Sequence, residues 1–394
     1  MLKVMVSCGE ASGDLYAGAL VTEMRRLAPD TRVFGFGGGR LAEAGAELVG
    51  DYRGHSVTGI VEVVRQLPRT YAMYRRLVAA ARDRRPDALV LIDFPDFHFR
   101  LGQAVHRLGI PVVYYISPQL WAWRAGRMAT MKRFVDRVLV IFPFEPEIYQ
   151  RADVPVEFVG HPLVELIPPN PPRADFLARQ GLDPSAPTVA LLPGSRANEV
   201  RAILSVLAEA SGLVRRDVPA VQFLLARAPH LDDGLFAPVE RLRASGARVA
   251  IVEGQTDAVL AAADVTLTAS GTATVQTALH GCPMVIVYKL SPLTYRLGIR
   301  FVRVQMYGMV NLVAGRRVCP ELIQDGFTAG STAAECVSLL TDSARADRMR
   351  ADLREVRERL GGAGASRRAA QAVLAVAAGT SDGRPVSTSG SAER

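Results

Sequence analysis

Three short stretches carry side chains that could do chemistry together. Ile92-Asp93-Phe94-Pro95-Asp96-Phe97 sets two carboxylates three residues apart beside two phenylalanines. Leu192-Pro193-Gly194-Ser195-Arg196 puts a glycine turn, a hydroxyl and a guanidinium in a row. Ala269-Ser270-Gly271-Thr272-Ala273-Thr274 is a turn of small residues. A carboxylate in a partly apolar setting titrates above its ordinary range and becomes a better base. Backbone N–H groups and the Ser195 hydroxyl can bond phosphate oxygens, and Arg196 can neutralise charge on a leaving group. Asp93 is favoured as the base and Asp96 as its structural partner. Either could take a proton, and either could simply cap the following turn.

Chemistry of this kind needs elements that bring the stretches to one place. Val4–Ser7, Arg32–Gly37, Ala88–Ile92, Val112–Ile116 and Arg137–Phe142 are short apolar runs, separated by helical spacing over Leu15–Leu27 and Gly59–Arg82. Continuous apolar runs between amphipathic helices predict parallel strands covered on both faces. Gly9-Glu10-Ala11-Ser12-Gly13-Asp14 follows the first run as another glycine-bearing turn. Pro162 to Pro172 interrupts the pattern and reads as a linker. Alternation then resumes through Thr188–Leu192, Val221–Leu225, Val249–Val252, Val265–Thr268 and Met284–Tyr288. The expected fold class is α/β, with two doubly wound parallel-sheet domains facing a central cleft. The halves are placed at 1–165 and 166–344. A charged helix at Ala344–Leu360 and an alanine-rich one at Ala369–Ala378 follow, then a polar tail over 379–394. Open sheets bind ligands at the carboxyl ends of their strands, so two facing sheets suit a reaction between two bound substrates.

Bulk properties remove several classes. The 394 residues suffice for two full cores. The start, Met1 to Ser7, reads as a buried strand rather than a leader, and no apolar run is long enough to span a bilayer. Cys8, Cys282, Cys319 and Cys336 show no CxxC spacing, and the six histidines, among them His55, His98, His161 and His230, show no ligand spacing. No metal and no cofactor is therefore expected. Neither half has GxGxxG, a Walker P-loop or a GxSxG elbow.

The net charge of +8 is unevenly placed. No acidic residue falls between Asp264 and Glu321, a stretch holding Lys289, Arg296, Arg300, Arg303, Arg316 and Arg317. A second cluster is Arg65, Arg69, Arg75, Arg76, Arg82, Arg84 and Arg85. Such fields attract anionic lipid, phosphorylated substrates or nucleic acid. The last is disfavoured for want of interleaved aromatics and a recognition motif. In Leu293–Val304 the arginines at 296, 300 and 303 share one helical stripe flanked by apolar residues, which suits a membrane surface. Val57, Ile60, Val61, Val63, Val64, Leu67, Tyr71 and Tyr74 form another apolar patch. Core packing is the alternative for both.

These motifs, together with Ser117-Pro118-Gln119-Leu120-Trp121-Ala122-Trp123-Arg124, Phe158-Val159-Gly160-His161-Pro162 and Asn311-Leu312-Val313-Ala314-Gly315-Arg316, occur in one order along the chain. In that order they resemble the lipid-A-disaccharide synthase family to about residue 378. The resemblance implies a GT-B glycosyltransferase that joins UDP-2,3-diacylglucosamine to 2,3-diacylglucosamine 1-phosphate (lipid X). The products would be a β-1′,6-linked disaccharide 1-phosphate and UDP. It implies Asp93 as base, with Arg196 and Asn311 at positions tied to activity and donor binding. The C-terminal half would hold UDP and the N-terminal half the acceptor. On the matching motifs, Ser12, Asp14, Asp96, Gly194, Ser195, Ser270, Gly271, Thr272 and Gln276 are assigned to substrate binding. The last helices would cross back to the first domain, and some members exchange this portion in a homodimer. The expected location is the cytoplasmic face of the inner membrane, held peripherally.

Two positions depart from the family pattern. Gln276 stands where a glutamate is expected to bond the ribose, and its carboxamide accepts more weakly. His98 replaces a common asparagine. The rival readings are a sugar-nucleotide epimerase, a transferase with another lipid acceptor, and a lipid-binding protein without turnover.

Overall fold

The computed structural model describes residues 1–52, 60–118, 126–229, 231–289 and 306–379, with only the helical backbone for 60–67. The arginine stripe of 293–304 lies outside the described residues. So do residues 119–124 of the tryptophan motif, His55, Val57, His230, the side chains of Ile60 to Leu67, and the tail after 379.

The first sheet is built from β1 (Lys3–Cys8), β2 (Arg32–Gly37), β3 (Glu47–Asp51), β4 (Ala88–Ile92), β5 (Val112–Tyr115), β6 (Arg137–Val140) and β7 (Val156–Phe158). Their order is β3-β2-β1-β4-β5-β6-β7. The second sheet holds β8 (Thr188–Leu192), β9 (Gln222–Arg227), β10 (Val249–Glu253), β11 (Val265–Ala269), β12 (Met284–Tyr288) and β13 (Glu321–Ile323). Their order is β10-β9-β8-β11-β12-β13. Every adjacent pair in both sheets is parallel. In β4 (ALVLI) and β8 (TVALL) every residue is buried, because helices cover both faces. The edge strands β3, β7 and β13 are only partly buried and mixed in composition.

Strand order reverses between β1 and β4 in the first sheet, and between β8 and β11 in the second. A crevice opens at such switch points, outside the carboxyl ends of the strands. The segments after these four strands begin at Gly9, Asp93, Pro193 and Ser270. All four candidate stretches therefore sit at the switch points.

The first helix, Ala11–Leu27, starts four residues earlier than the periodicity predicts. Ser12, Gly13 and Asp14 lie in its opening turn rather than in a loop. At the other end, helix Ser343–Arg359 is capped by Asp342, whose carboxylate accepts from the Arg345 N–H at 2.9 Å. Helix Ala365–Ala377 then packs on Ala11–Leu27, burying Ala369, Ala370, Ala372 and Val373. Both Glu165 oxygens cap its start, accepting from the Gly364 and Ser366 N–H groups. All four cysteines are buried and free. Among the described residues no helix is long and apolar enough to cross a membrane.

Candidate active site

Asp93 stands one residue past β4 with φ of +52°, and Phe94 follows at +49°. Left-handed backbone at two successive non-glycine residues is costly and is held only by its surroundings. The surroundings here are specific. The Asp93 carbonyl accepts from Tyr114 Oη at 2.8 Å and from His98 Nδ1 at 2.6 Å. Since a carbonyl only accepts, His98 carries its proton on Nδ1, and Nε2 accepts from Ser7 Oγ at 2.8 Å. Burial lowers the His98 pKa to about 4, keeping the ring neutral in this role. His98 is thus a positioning residue for the Asp93 backbone. Burial, reinforced by the nearby Glu10 charge, raises the Asp93 pKa to about 6. Asp96, three residues on in helix Pro95–His106, pairs instead with Arg127 at 2.6 Å.

Arg196 reaches across the cleft. Its Nη2 donates to both Glu10 oxygens, at 3.0 and 3.2 Å, and its charge partly offsets the rise at Asp93. Both partners are substantially exposed, so the pair adds little stability. Its consequence is positional: it sets a guanidinium from the second half beside a carboxylate from the first. Glu10 was not singled out from the sequence, although it lies within the quoted Gly9–Asp14 motif.

The turn before Arg196 differs from expectation. The Glu199 carboxylate folds back and accepts from the Ser195 and Arg196 N–H groups, at 3.2 and 3.3 Å. The backbone donors predicted for phosphate are therefore taken by the chain's own helix cap. Gly194, at φ +115°, leaves just the space that Glu199 fills.

The turn after β11 is more open. Gly271 has φ of +147°, a conformation that favours glycine, and nothing crowds its Cα. Gly271 and Thr272 are exposed to the cleft. Ser270 Oγ donates to the Tyr307 carbonyl at 2.9 Å and so ties this turn to the next loop.

Asn311 requires a correction. It is fully buried, and its side chain makes four hydrogen bonds. Nδ2 donates to the Cys319 carbonyl and Glu321 Oε1, at 2.9 and 2.8 Å. Oδ1 accepts from the Val318 and Cys319 N–H groups, at 2.8 and 2.9 Å. An amide with all these capacities used has none left for a ligand. Glu321 in turn accepts from the Tyr307 and Gly308 N–H groups. Asn311 therefore ties helix Met309–Ala314, whose first residue lines the cleft, to the segment at Val318–Glu321. Asn311→Ala is expected to cost about 3 kcal/mol, because it strands buried backbone donors. Urea unfolding followed in the C-terminal half would measure that loss.

One further assignment changes. Asp14 is buried, and its carboxylate accepts from the N–H groups of Gly38 (2.7 Å), Arg40 (3.0 Å) and Leu41 (3.2 Å). It caps helix Gly39–Glu43 rather than a substrate. Gln276 Nε2 donates to Asp257 Oδ1 at 2.8 Å, and His280 Nε2 bonds the same oxygen at 2.9 Å. Burial pushes the Asp257 carboxyl up, but these two bonds outweigh it and hold the group below its ordinary range.

A cavity of about 290 Å³ lies between the halves. Ser12, Tyr16, Asp93, Asp96 and Arg127 line it from the first half, and Gly271, Thr272, Val275 and Met309 from the second. Of the residues expected at the site, Ser12, Asp93, Asp96, Gly271 and Thr272 meet there. Arg127 was missed, being a lone arginine just past the tryptophan motif. Among the described residues, no group of three or more histidines, cysteines or acids is arranged to hold a metal ion.

Two parallel α/β sheets with switch points facing one cleft define the GT-B class. A UDP-GlcNAc 2-epimerase from Neisseria meningitidis, solved bound to UDP-GlcNAc, shares this fold with a TM-score of 0.68. It is 13% identical, with 95% of this chain and 100% of that one covered. The family is fixed by sequence. The model of the family described as lipid-A-disaccharide synthetase matches residues 4–376. Lipid-A-disaccharide synthases from Koribacter versatilis and Geobacter sulfurreducens are 45% and 46% identical over 390 and 375 residues. Those matches cover 96% and 94% of this chain, and 99% and 96% of the relatives. The chain belongs to the lipid-A-disaccharide synthetase family of glycosyltransferases.

Proposed function

We propose that this chain joins UDP-2,3-diacylglucosamine to 2,3-diacylglucosamine 1-phosphate with inversion at the anomeric carbon. The observation that carries the reading is Asp93: a strained, partly buried carboxylate with pKa near 6, facing an arginine from the opposite half. The Asp93 carboxylate takes the proton of the acceptor's 6-hydroxyl. That oxygen attacks the donor's anomeric carbon from the face opposite UDP. The bond from that carbon to the diphosphate oxygen breaks, and its electron pair leaves with UDP. One in-line displacement turns an α-linked donor into a β-linked disaccharide without a covalent intermediate. Arg196 and the turn after β11 stabilise the departing charge. The protonated Asp93 then returns its proton to water.

The acceptor is assigned to the first half, where Asp93, Ser12 and Tyr16 lie, and the donor to the second, beside Gly271 and Thr272. The acyl chains of both substrates call for an apolar phase, and the basic clusters suit anionic headgroups. We therefore place the protein on the cytoplasmic face of the inner membrane, held peripherally. A homodimer stands as an expectation of the resemblance.

The anomeric configuration of the product tests the stereochemistry, with a β linkage expected by NMR and an α linkage overturning the mechanism. The pH profile tests the base. With an essential carboxylate titrating near 6, kcat/KM should fall about tenfold per unit on the acid side of that value. A plateau down to pH 4.5 would remove Asp93 from that role.

A further inference from the structure

Each half of the cleft holds an arginine against a carboxylate of the chain itself. Arg196 is held by Glu10, and Arg127 by Asp96. The first pair faces the leaving diphosphate in the mechanism above. The second has no part in it, yet both its members line the cavity beside Asp93.

Three features set Arg127 apart from an ordinary surface arginine. Its Nη1 is buried and has no hydrogen-bond partner among the described residues. Its guanidinium lies 5.4 Å from the centre of the Phe99 ring, and this contact holds the planar fork in place. Its carboxylate partner is the more exposed of the two, at 71% against 33%, so Asp96 can turn into water when a stronger anion arrives. A guanidinium fixed against a ring, with its Nη2 on a displaceable carboxylate, suits recognition of a phosphate that takes the carboxylate's place.

We propose that Arg127 receives the anomeric phosphate of the acceptor, and that Asp96 holds the guanidinium in place until the phosphate displaces it. This rests on the glycosyl-transfer reading and deepens it. Arg127 becomes the residue that makes the enzyme select a phosphorylated acceptor. It also sets direction: with the phosphate on Arg127, the far end of the sugar ring, bearing the 6-hydroxyl, is turned toward Asp93. The two arginines divide the two phosphorylated substrates between the halves.

The test compares two acceptors, 2,3-diacylglucosamine 1-phosphate and 2,3-diacylglucosamine, in wild type, Arg127→Gln and Arg127→Lys, with saturating UDP-2,3-diacylglucosamine. Wild type should prefer the phosphorylated acceptor. Arg127→Gln should lose about 30-fold in kcat/KM on that acceptor, mostly through KM, and less than about threefold on the unphosphorylated one. The retained rate on the second acceptor reports that the variant is folded. Donor KM should stay within about threefold, and Arg127→Lys should recover part of the loss. An equal fall on both acceptors, a rise in donor KM alone, or an unchanged preference would overturn the proposal. Absence of any transfer by wild type would strike the glycosyl-transfer reading itself, and this inference with it.

Discussion

Asp93→Asn should lower kcat by about a thousandfold while leaving both KM values within about threefold, since a general base acts in the transition state. The same substitution should make the protein more stable at pH 8. The Asp93 carboxyl titrates near 6 in the folded chain, against a reference of 3.8. A carboxyl raised on folding binds its proton more tightly in the native state, so its ionisation opposes folding. The penalty is absent below about pH 4, grows between 4 and 6, and is complete above 6, where it reaches at most about 3 kcal/mol. Asparagine removes it and tolerates the left-handed backbone as well as aspartate does. Thermal melts of both proteins at pH 4 and pH 8 measure the difference. A gain at pH 8 that vanishes at pH 4, alongside the lost activity, is the signature of a base kept at the expense of stability.

Arg196→Ala should cost about a hundredfold to a thousandfold in kcat by removing a cation from the departing diphosphate. It should also move the acid limb of the pH profile upward. Arg196 partly offsets the influence of burial and of Glu10 on Asp93. Without it, Glu10 faces Asp93 uncompensated and the base becomes harder to ionise. Arg196→Lys should keep activity within about tenfold of wild type and keep the limb near 6. Both contacts to Glu10 come from a single nitrogen, which a lysine can imitate. A purely structural arginine would move neither the limb nor the alanine–lysine contrast. The pH dependence of kcat/KM for the three proteins separates the cases.

The parts of this site that could be read from the chain are those set by local order. Ala88 to Ile92 is apolar because β4 is buried on both faces, and Asp93 is where that requirement stops. The same logic marks the ends of β1, β8 and β11. Long-range contacts were not visible in this way. Asp14 has the spacing of a ligand-binding residue, but its three donors come from 24 to 27 residues further on. Asn311 carries the chemistry of a binding amide, yet the turn at Val318 and Cys319 encloses it. The Gly194 turn looks open in one dimension and is closed by Glu199 on the next helical turn. The edge strands β3, β7 and β13 escaped notice because half-buried strands lack a continuous apolar run. Glu10 and Arg127 gain meaning only from partners far along the chain or across the cleft.

The most direct measurement is acceptor-dependent release of UDP from UDP-2,3-diacylglucosamine, in detergent, by wild type, Asp93→Asn and Asp96→Asn. The expected result is turnover by wild type that needs both substrates and falls about a thousandfold in Asp93→Asn. In Asp96→Asn the loss should be no more than about tenfold. Full activity in Asp93→Asn, or loss confined to Asp96→Asn, would contradict Asp93 as the base. A folded wild type that releases no UDP in the presence of lipid X would contradict the transfer reaction itself.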